Sequence, residues 1–168
     1  MTGVDVVTDA NGADSPVNSL SLTAIHAGYE RIKASDLVVR TPLWKDCNKR
    51  FLHSSSSSSS MLISPTVLRS FRLHLKLENA QITGSFKIRG VVNQMAANGQ
   101  RLRTTGSAPI TMSAGNYGKA FAHCLVGLEG VNPGLVVMPN AAPQDRVDLI
   151  KGMGCSVKQV IEDMWWIP

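Results

Sequence analysis

Aromatic side chains are scarce in this 168-residue sequence, only 5% of it, and long apolar runs are absent. A core built from it is therefore aliphatic. Nothing in it approaches the roughly 20 apolar residues of a membrane-spanning helix. The three cysteines, Cys47, Cys124 and Cys155, lie far apart and form no Cys-x-x-Cys pair. An odd, unpaired set argues against a secreted disulfide framework. The four histidines, His26, His53, His74 and His123, give no His-x-x-x-His pair, so a metal site has no ligand pattern to start from. The first 19 residues lack a basic start followed by an apolar stretch, so they do not read as a signal peptide. These absences lead us to expect a soluble protein of a reducing, cytoplasmic compartment. The net charge is +5 and the pI about 9.4. Apart from residues 45–50 and 69–76, however, the basic residues are scattered, and within those stretches Phe71 alone interleaves, too little for a row of stacking platforms. A solvated basic surface suits small anionic ligands better than nucleic acid or a membrane.

Hydrophobic residues make up 43% of the chain and mean hydropathy is +0.02, enough for one domain or one lobe of a larger enzyme. The stretch that organises the rest is LHLKLENAQITGSFKIRG, residues 73–90. Leu73, Leu75 and Leu77 alternate with polar residues, the period of a half-buried strand. Residues 79–84 carry turn chemistry. Ser85, Phe86 and Lys87 then open a helix whose apolar face is Ile88, Val91, Val92 and Met95.

Along the chain, residues 1–22 are small and polar and read as a flexible tail. Helical spacing over residues 22–32 puts Ile25, Tyr29 and Ile32 on one face. Ser35 and Asp36 look like a cap opening a short second turn of helix, and residues 38–43 return as extended chain. Residues 54–60 are seven consecutive serines, a low-complexity loop within a partial segment 23–72. Pro65 keeps the chain irregular up to Leu73. Beyond the lysine helix, Asn98 and Gly99 are a stop signal, and residues 104–109 read as a loop. Residues 110–112 form a short strand, 113–118 a small-residue loop, and 119–128 a helix with Phe121, Leu125 and Leu128 inward. The run 135–138 reads as a strand covered on both faces. Pro143 suits the first position of a helix striped by Val147 and Ile150, and Gly154 its C′. Residues 157–161 form the last strand. The pattern from Leu73 is thus β-α-β-α-β-α-β, a three-layer α/β lobe with a mainly parallel sheet over residues 73–161. The tail 162–168, EDMWWIP, continues no element.

Two features carry chemistry. Lys87 lies in the first turn of a helix, where the dipole disfavours its charge, as a Schiff-base lysine requires. A lone lysine of this kind is ordinarily just solvated. The loop Ser113-Ala114-Gly115-Asn116-Tyr117-Gly118 ends a strand and opens a helix, an arrangement that gathers backbone N–H groups into an anion cradle. A tight turn with no ligand is an equally ordinary outcome. The two together are more informative. On this pattern both fall at the C-terminal ends of successive strands, on one rim of the sheet, so one site offers an amine beside a carboxylate or phosphate cradle. Nucleotide binding through the same loop lacks a Walker lysine pattern.

Residues 75–79 (LKLEN) and 83–90 (TGSFKIRG) resemble the cofactor-lysine segment of fold-type II (tryptophan synthase β-like) pyridoxal-phosphate enzymes. SAGNYG resembles their substrate-carboxylate loop, VVMPNAAPQDRVDLIKGMGCSV at 136–157 the following strand-helix-strand, and RTPL at 40–43 an early segment. Within that group the resemblance is to serine/threonine dehydratases (ammonia-lyases) and serine racemases, over residues 23–161. It implies that Lys87 forms a Schiff base with pyridoxal 5′-phosphate and then serves as the base on Cα–H. It implies further that Phe86 packs on the cofactor ring and Asn116 bonds the ring hydroxyl oxygen, while Ser113, Gly115, Asn116 and Tyr117 hold the substrate carboxylate. The implied reaction converts L-serine or L-threonine to a 2-oxo acid and ammonia. Racemases of the family place a second serine where this chain has Ala114, which favours one-base elimination over racemisation. The family is typically homo-oligomeric.

The chain also departs from the family. It contains no Gly-Gly pair, whereas the resemblance implies a glycine-rich phosphate loop in a second half. The expectation is therefore a truncated or spliced chain, with a sheet face left exposed. That counts against catalysis by the chain alone and keeps a non-catalytic role, or pairing with a full-length relative, as the alternative.

Overall fold

The computed structural model describes residues 21–47 and 72–161. The expected loop at 54–60, the irregular stretch at Pro65 and the tails up to residue 20 and from residue 162 lie outside the described residues.

Helix α1 (Leu22–Lys33) starts one residue inside the expected tail, because Ser21 is its N-cap and its Oγ accepts from the Ala24 N–H at 3.1 Å. Its expected apolar face is not its docking face: Ile25 and Tyr29 are 51% and 57% exposed. Instead, α1 rests on its neighbour through buried Gly28, whose position faces the Asn93 side chain, and through the Arg31 Nε donating to Asn93 Oδ1 at 2.7 Å. Ser35 and Asp36 begin a turn and not a second helix; the Ser35 Oγ accepts from Leu37 N–H at 3.2 Å.

Strand β1 (Leu43–Trp44) pairs antiparallel with β2 (Leu75–Lys76), Leu43 opposite Lys76. The predicted alternation holds, since Leu73, Leu75 and Leu77 are half-buried and the intervening His74 and Lys76 are exposed. The predicted sheet membership does not. The strand before the lysine belongs to a separate two-stranded sheet and not to the parallel one. Its partner lies far back in the chain, and a pairing over that separation leaves no local trace in the sequence.

Helix α2 (Lys87–Thr105) buries Ile88, Val91, Val92, Met95 and Gly99, the predicted face continued by one further turn. It runs through the expected stop at Asn98 and Gly99, and ends at Gly106, which takes φ +62°. The residues after Gly99 explain this: Gln100, Arg101 and Arg103 favour helix, and Leu102 packs on the core. The main sheet is parallel with order β3 (Ile110–Met112), β4 (Leu135–Pro139), β5 (Ser156–Val160). Helix α3 (Asn116–Val126) joins the first two strands and α4 (Gln144–Gly152) the last two. Pro143 caps α4 and is not its first residue, while Gly154 takes the C′ position with φ +84°.

Val136 and Met138 of β4 are buried in one cluster with Ile88 and Val91 of α2, Phe121 and Cys124 of α3, and Val147 and Ile150 of α4. The other face of β4 is only half-buried, and its lateral neighbours Ile110 and Met112 are 65% and 49% exposed. Among the described residues the sheet is therefore covered on one face and not on both as the apolar run suggested. α3 is the centre of the packing, with Gly118, Ala120, Phe121, Ala122 and Cys124 all buried.

Candidate functional site

The turn before the lysine is held by polar bonds. The Leu77 N–H donates to Pro42 O at 3.0 Å, and Gly84 N–H to Gln81 O at 2.7 Å, with Gly84 at φ +78°. At that φ a side chain other than glycine is strained. Gln81, 4% exposed, clasps the Val39 backbone: its Oε1 accepts from Val39 N–H at 3.1 Å and its Nε2 donates to Val39 O at 2.8 Å. The Glu78 carboxylate takes two parallel bonds from Arg89, Nε and Nη2 both at 2.9 Å, one from Thr41 Oγ1 at 2.7 Å and one from Gln81 Nε2 at 3.3 Å. These bonds, the Arg89 pair foremost, hold its carboxyl at about 2, below the usual carboxylate range, while burial works against the shift. Bonding to Glu78 raises the Arg89 guanidinium in turn. Thr83 is 2% exposed, and its Oγ1 has no partner among the described residues.

Lys87 is exposed and is the first residue of α2, its N–H directed at the Ser85 Oγ at 3.4 Å. Its ammonium lies 4.9 Å from the centre of the Phe86 ring, itself 57% exposed. An amine beside an open aromatic face is a suitable setting for a flat aldehyde, and Phe86 is free to stack on it.

At the second loop, Ser113 does two jobs. Its N–H donates to Val137 O at 3.0 Å and prolongs the sheet, and its Oγ accepts from Gly115 N–H at 3.2 Å and Gly118 N–H at 3.0 Å. The N-cap of α3, Gly115, has no side chain, so Ser113 caps the helix from two residues upstream. A Cβ on Gly118 would stand 2.6 Å from Ser113 O, so only glycine fits that approach. Of the residues expected at the carboxylate, Ser113 and Gly115 thus have their N–H groups committed internally. The N–H groups of Asn116 and Tyr117 open the helix with no such partner among the described residues. The Asn116 side chain is exposed beside them.

The sequence pattern put both features on one rim of one sheet. They stand instead on two sheets, and helix packing brings them into relation. Tyr117 Oη donates to Gln94 Oε1 at 2.6 Å, tying the start of α3 to α2. Gln94 is seven residues beyond Lys87, two helical turns and about 10 Å along the same face. The lysine therefore shares its face of α2 with the residue that holds the second loop. Burial raises the Tyr117 hydroxyl above its ordinary value, with a smaller contribution from Cys124. Ala114 is half-buried and packs on the core.

Glu78, Arg89, Thr41, Gln81 and Gln94 are the residues sequence reasoning missed. The first four lie in or beside the motifs quoted above, but which of them meet is decided by a turn that no periodicity encodes. A cavity of about 310 Å³ lies elsewhere, lined by Arg31, Leu37, Val92, Met95, Cys124 and Leu128 among others, and includes none of the expected site residues. Cys124 is buried and its thiol is pushed up to about 12 by that burial, so it is no nucleophile. Among the described residues no three His, Cys, Asp or Glu side chains are placed to hold a metal, and no helix is long and apolar enough to cross a membrane.

Residues 61–165 match the model of the pyridoxal-phosphate dependent enzyme family. The L-threonine dehydratase catabolic TdcB of Staphylococcus aureus is 35% identical over 111 residues, 65% of this chain and 30% of that protein. The L-threonine ammonia-lyase of Thermotoga maritima is 33% identical over 111 residues, 65% of this chain and 26% of that protein. The chain thus spans under a third of the length of these curated relatives. Among solved structures, a pyridoxal 5′-phosphate-dependent aspartate racemase superposes with a TM-score of 0.64 at 28% identity, covering 88% of this chain and 40% of that one. The serine racemase of Dictyostelium discoideum gives 0.63 at 25% identity, over 86% and 40%. With the matched region covering more than half of its residues, the chain belongs to the pyridoxal-phosphate dependent enzymes and carries part of a fold-type II α/β architecture.

Proposed function

We propose that this chain carries the cofactor-lysine lobe, residues 73–161, of a cytoplasmic ammonia-lyase that converts L-serine or L-threonine to a 2-oxo acid and ammonia. The observation that carries the reading is Lys87 at the first position of α2, on the face that Tyr117 ties to the open start of α3. In such a site pyridoxal phosphate, when bound, supplies an electron sink for the substrate's Cα electrons. The chain's own residues supply the rest. Lys87 Nζ would hold the cofactor at its aldehyde, and the same amine would serve as the base for the Cα proton. The Phe86 ring would pack against the cofactor, and the Asn116 amide would bond its ring oxygen. The unpartnered N–H groups at Asn116 and Tyr117 orient the substrate carboxylate, as open helix starts do. Ser113 and Gly115 serve in that role by shaping the loop, Ser113 with a hydroxyl hydrogen still to donate. Ala114 offers no exchangeable proton on the opposite face of Cα, which favours elimination over racemisation. The threonine dehydratase relatives support the same reaction class.

A second reading, a chain that does not act by itself, is favoured by the lack of any Gly-Gly pair to cradle the cofactor phosphate. In that case activity belongs to a homo-oligomer or to pairing with a longer relative. One experiment decides between them. Purified protein given pyridoxal phosphate is expected to gain the visible absorbance of lysine-bound cofactor, and Lys87→Ala to lose it. A flat spectrum from the wild-type protein overturns autonomous cofactor binding and favours the second reading.

A further inference from the structure

Arg89 lies two residues beyond the reactive lysine, and its guanidinium is fixed edge-on to one carboxylate, that of Glu78. The same carboxylate is bonded by Thr41 Oγ1 and Gln81 Nε2. Both of these anchor the chain ahead of β1: Gln81 clasps Val39 on both sides of its backbone, and the Lys76 ammonium donates to Thr41 O at 2.6 Å. Glu78 thus sits at the junction of three segments, the stretch 39–42, the turn 78–84 and the first turn of α2. Those side chains are largely shielded, 21% exposed for Glu78 and 31% for Arg89, so the pair is a fixed strut and not a fluctuating surface contact. α2 has no side-chain cap at Phe86 and no acidic residue in its first turn. Besides the buried Ile88, its start is tied from outside by this carboxylate.

From this arrangement we infer that Glu78 is a positioning residue for Lys87, fixing the first turn of α2 through Arg89 so that the amine meets a carbonyl carbon in a productive orientation. The inference rests on the cofactor reading above and adds to it a residue that touches neither cofactor nor substrate. A single carboxylate collecting four donors from three segments has no substitute nearby. Glutamine at the same place keeps the size but loses the charge that matches the arginine fork. The consequence is a lysine that keeps its chemistry and loses its aim.

The test uses the full chain with pyridoxal phosphate as probe, trapped by borohydride, with the modified lysines mapped by mass spectrometry from about pH 6 to about pH 10. The measured quantity is the trapping rate at Lys87 relative to exposed Lys151 and Lys158, compared between the wild type and the variant at each pH. Glu78→Gln is expected to lower that ratio about fivefold to tenfold, with Lys151 and Lys158 unmoved and buried Cys124 still protected from thiol reagents. An unchanged ratio in a folded Glu78→Gln chain overturns the inference while leaving the cofactor reading intact. A wild-type chain in which Lys87 reacts no faster than Lys151 overturns both. Should Cys124 become reactive in Glu78→Gln, Thr41→Val takes its place, since it removes one donor and no charge. Its expected effect is about twofold, and an unchanged ratio in that variant overturns the inference equally.

Discussion

The start of α2 and the start of α3 are fixed in opposite ways. Each is a helix N-terminus with orphan N–H groups at the edge of the expected site. At α3 the tie is local: Ser113, two residues ahead of the cap, accepts from Gly115 and Gly118 and leaves the next two N–H groups open. At α2 it is remote: Arg89 reaches out to Glu78, which Thr41 and Gln81 hold in place, and Ser85 supplies only a long contact to the Lys87 N–H. The difference fits what each start has to present. Backbone donors need only a rigid loop, which a neighbouring hydroxyl provides. A flexible side chain such as lysine needs its whole helix fixed, which takes charge and several segments. Behind both starts lies a common apolar core, so the directional bonds set geometry and the core sets stability.

Four substitutions separate these contributions, in descending order of effect. Ile88→Ala, at a position with no exposure and in the centre of the shared cluster, should cost about 3 kcal/mol in urea unfolding and weaken both starts together. Glu78→Gln should cost about 1–2 kcal/mol, between the values for exposed and buried pairs. It should also flatten an acid dependence. Because the folded carboxyl sits at about 2 against an ordinary 4.5, Glu78 contributes stability above pH 4.5 that is lost as pH falls through 2. Chemical denaturation across that window should show the wild type losing stability more steeply than the variant. Ser113→Ala should cost about 1 kcal/mol by removing the cap of α3, and should leave that acid dependence unchanged. Thr83→Val should be within about 0.5 kcal/mol of the wild type or more stable, because the buried Oγ1 it removes has no partner among the described residues. A loss of about 2 kcal/mol or more on thermal unfolding would assign that hydroxyl a partner.

Much of the site is legible in the sequence. The period-two pattern at Leu73, Leu75 and Leu77, the apolar stripe of α2 and the placement of Lys87 at a helix start all follow from spacing. So does the helix that opens at SAGNYG, though it begins at Asn116 and not at Lys119. Local rules misjudge Gly99, because a glycine is a stop signal only where the residues beyond it have nothing to pack on, and Leu102 does. They misjudge α1 because its docking face is made by a glycine, Gly28, whose missing side chain carries no hydrophobic signal.

By itself the sequence determined which residues could be helix, strand and turn, where the amine and the small-residue loop fall, and which family they resemble. These depend on neighbours within a turn or two, where steric preference and periodicity act directly. Tertiary structure alone decided that β2 pairs with β1 outside the parallel sheet, that Glu78 meets Arg89 and Thr41, and that Tyr117 links the lysine helix to the second loop. Each of these is a choice among many chemically equivalent partners far apart in the chain. A carboxylate or a strand edge bonds equally well to any matching group, so the choice falls to whichever partner the compact core brings within reach.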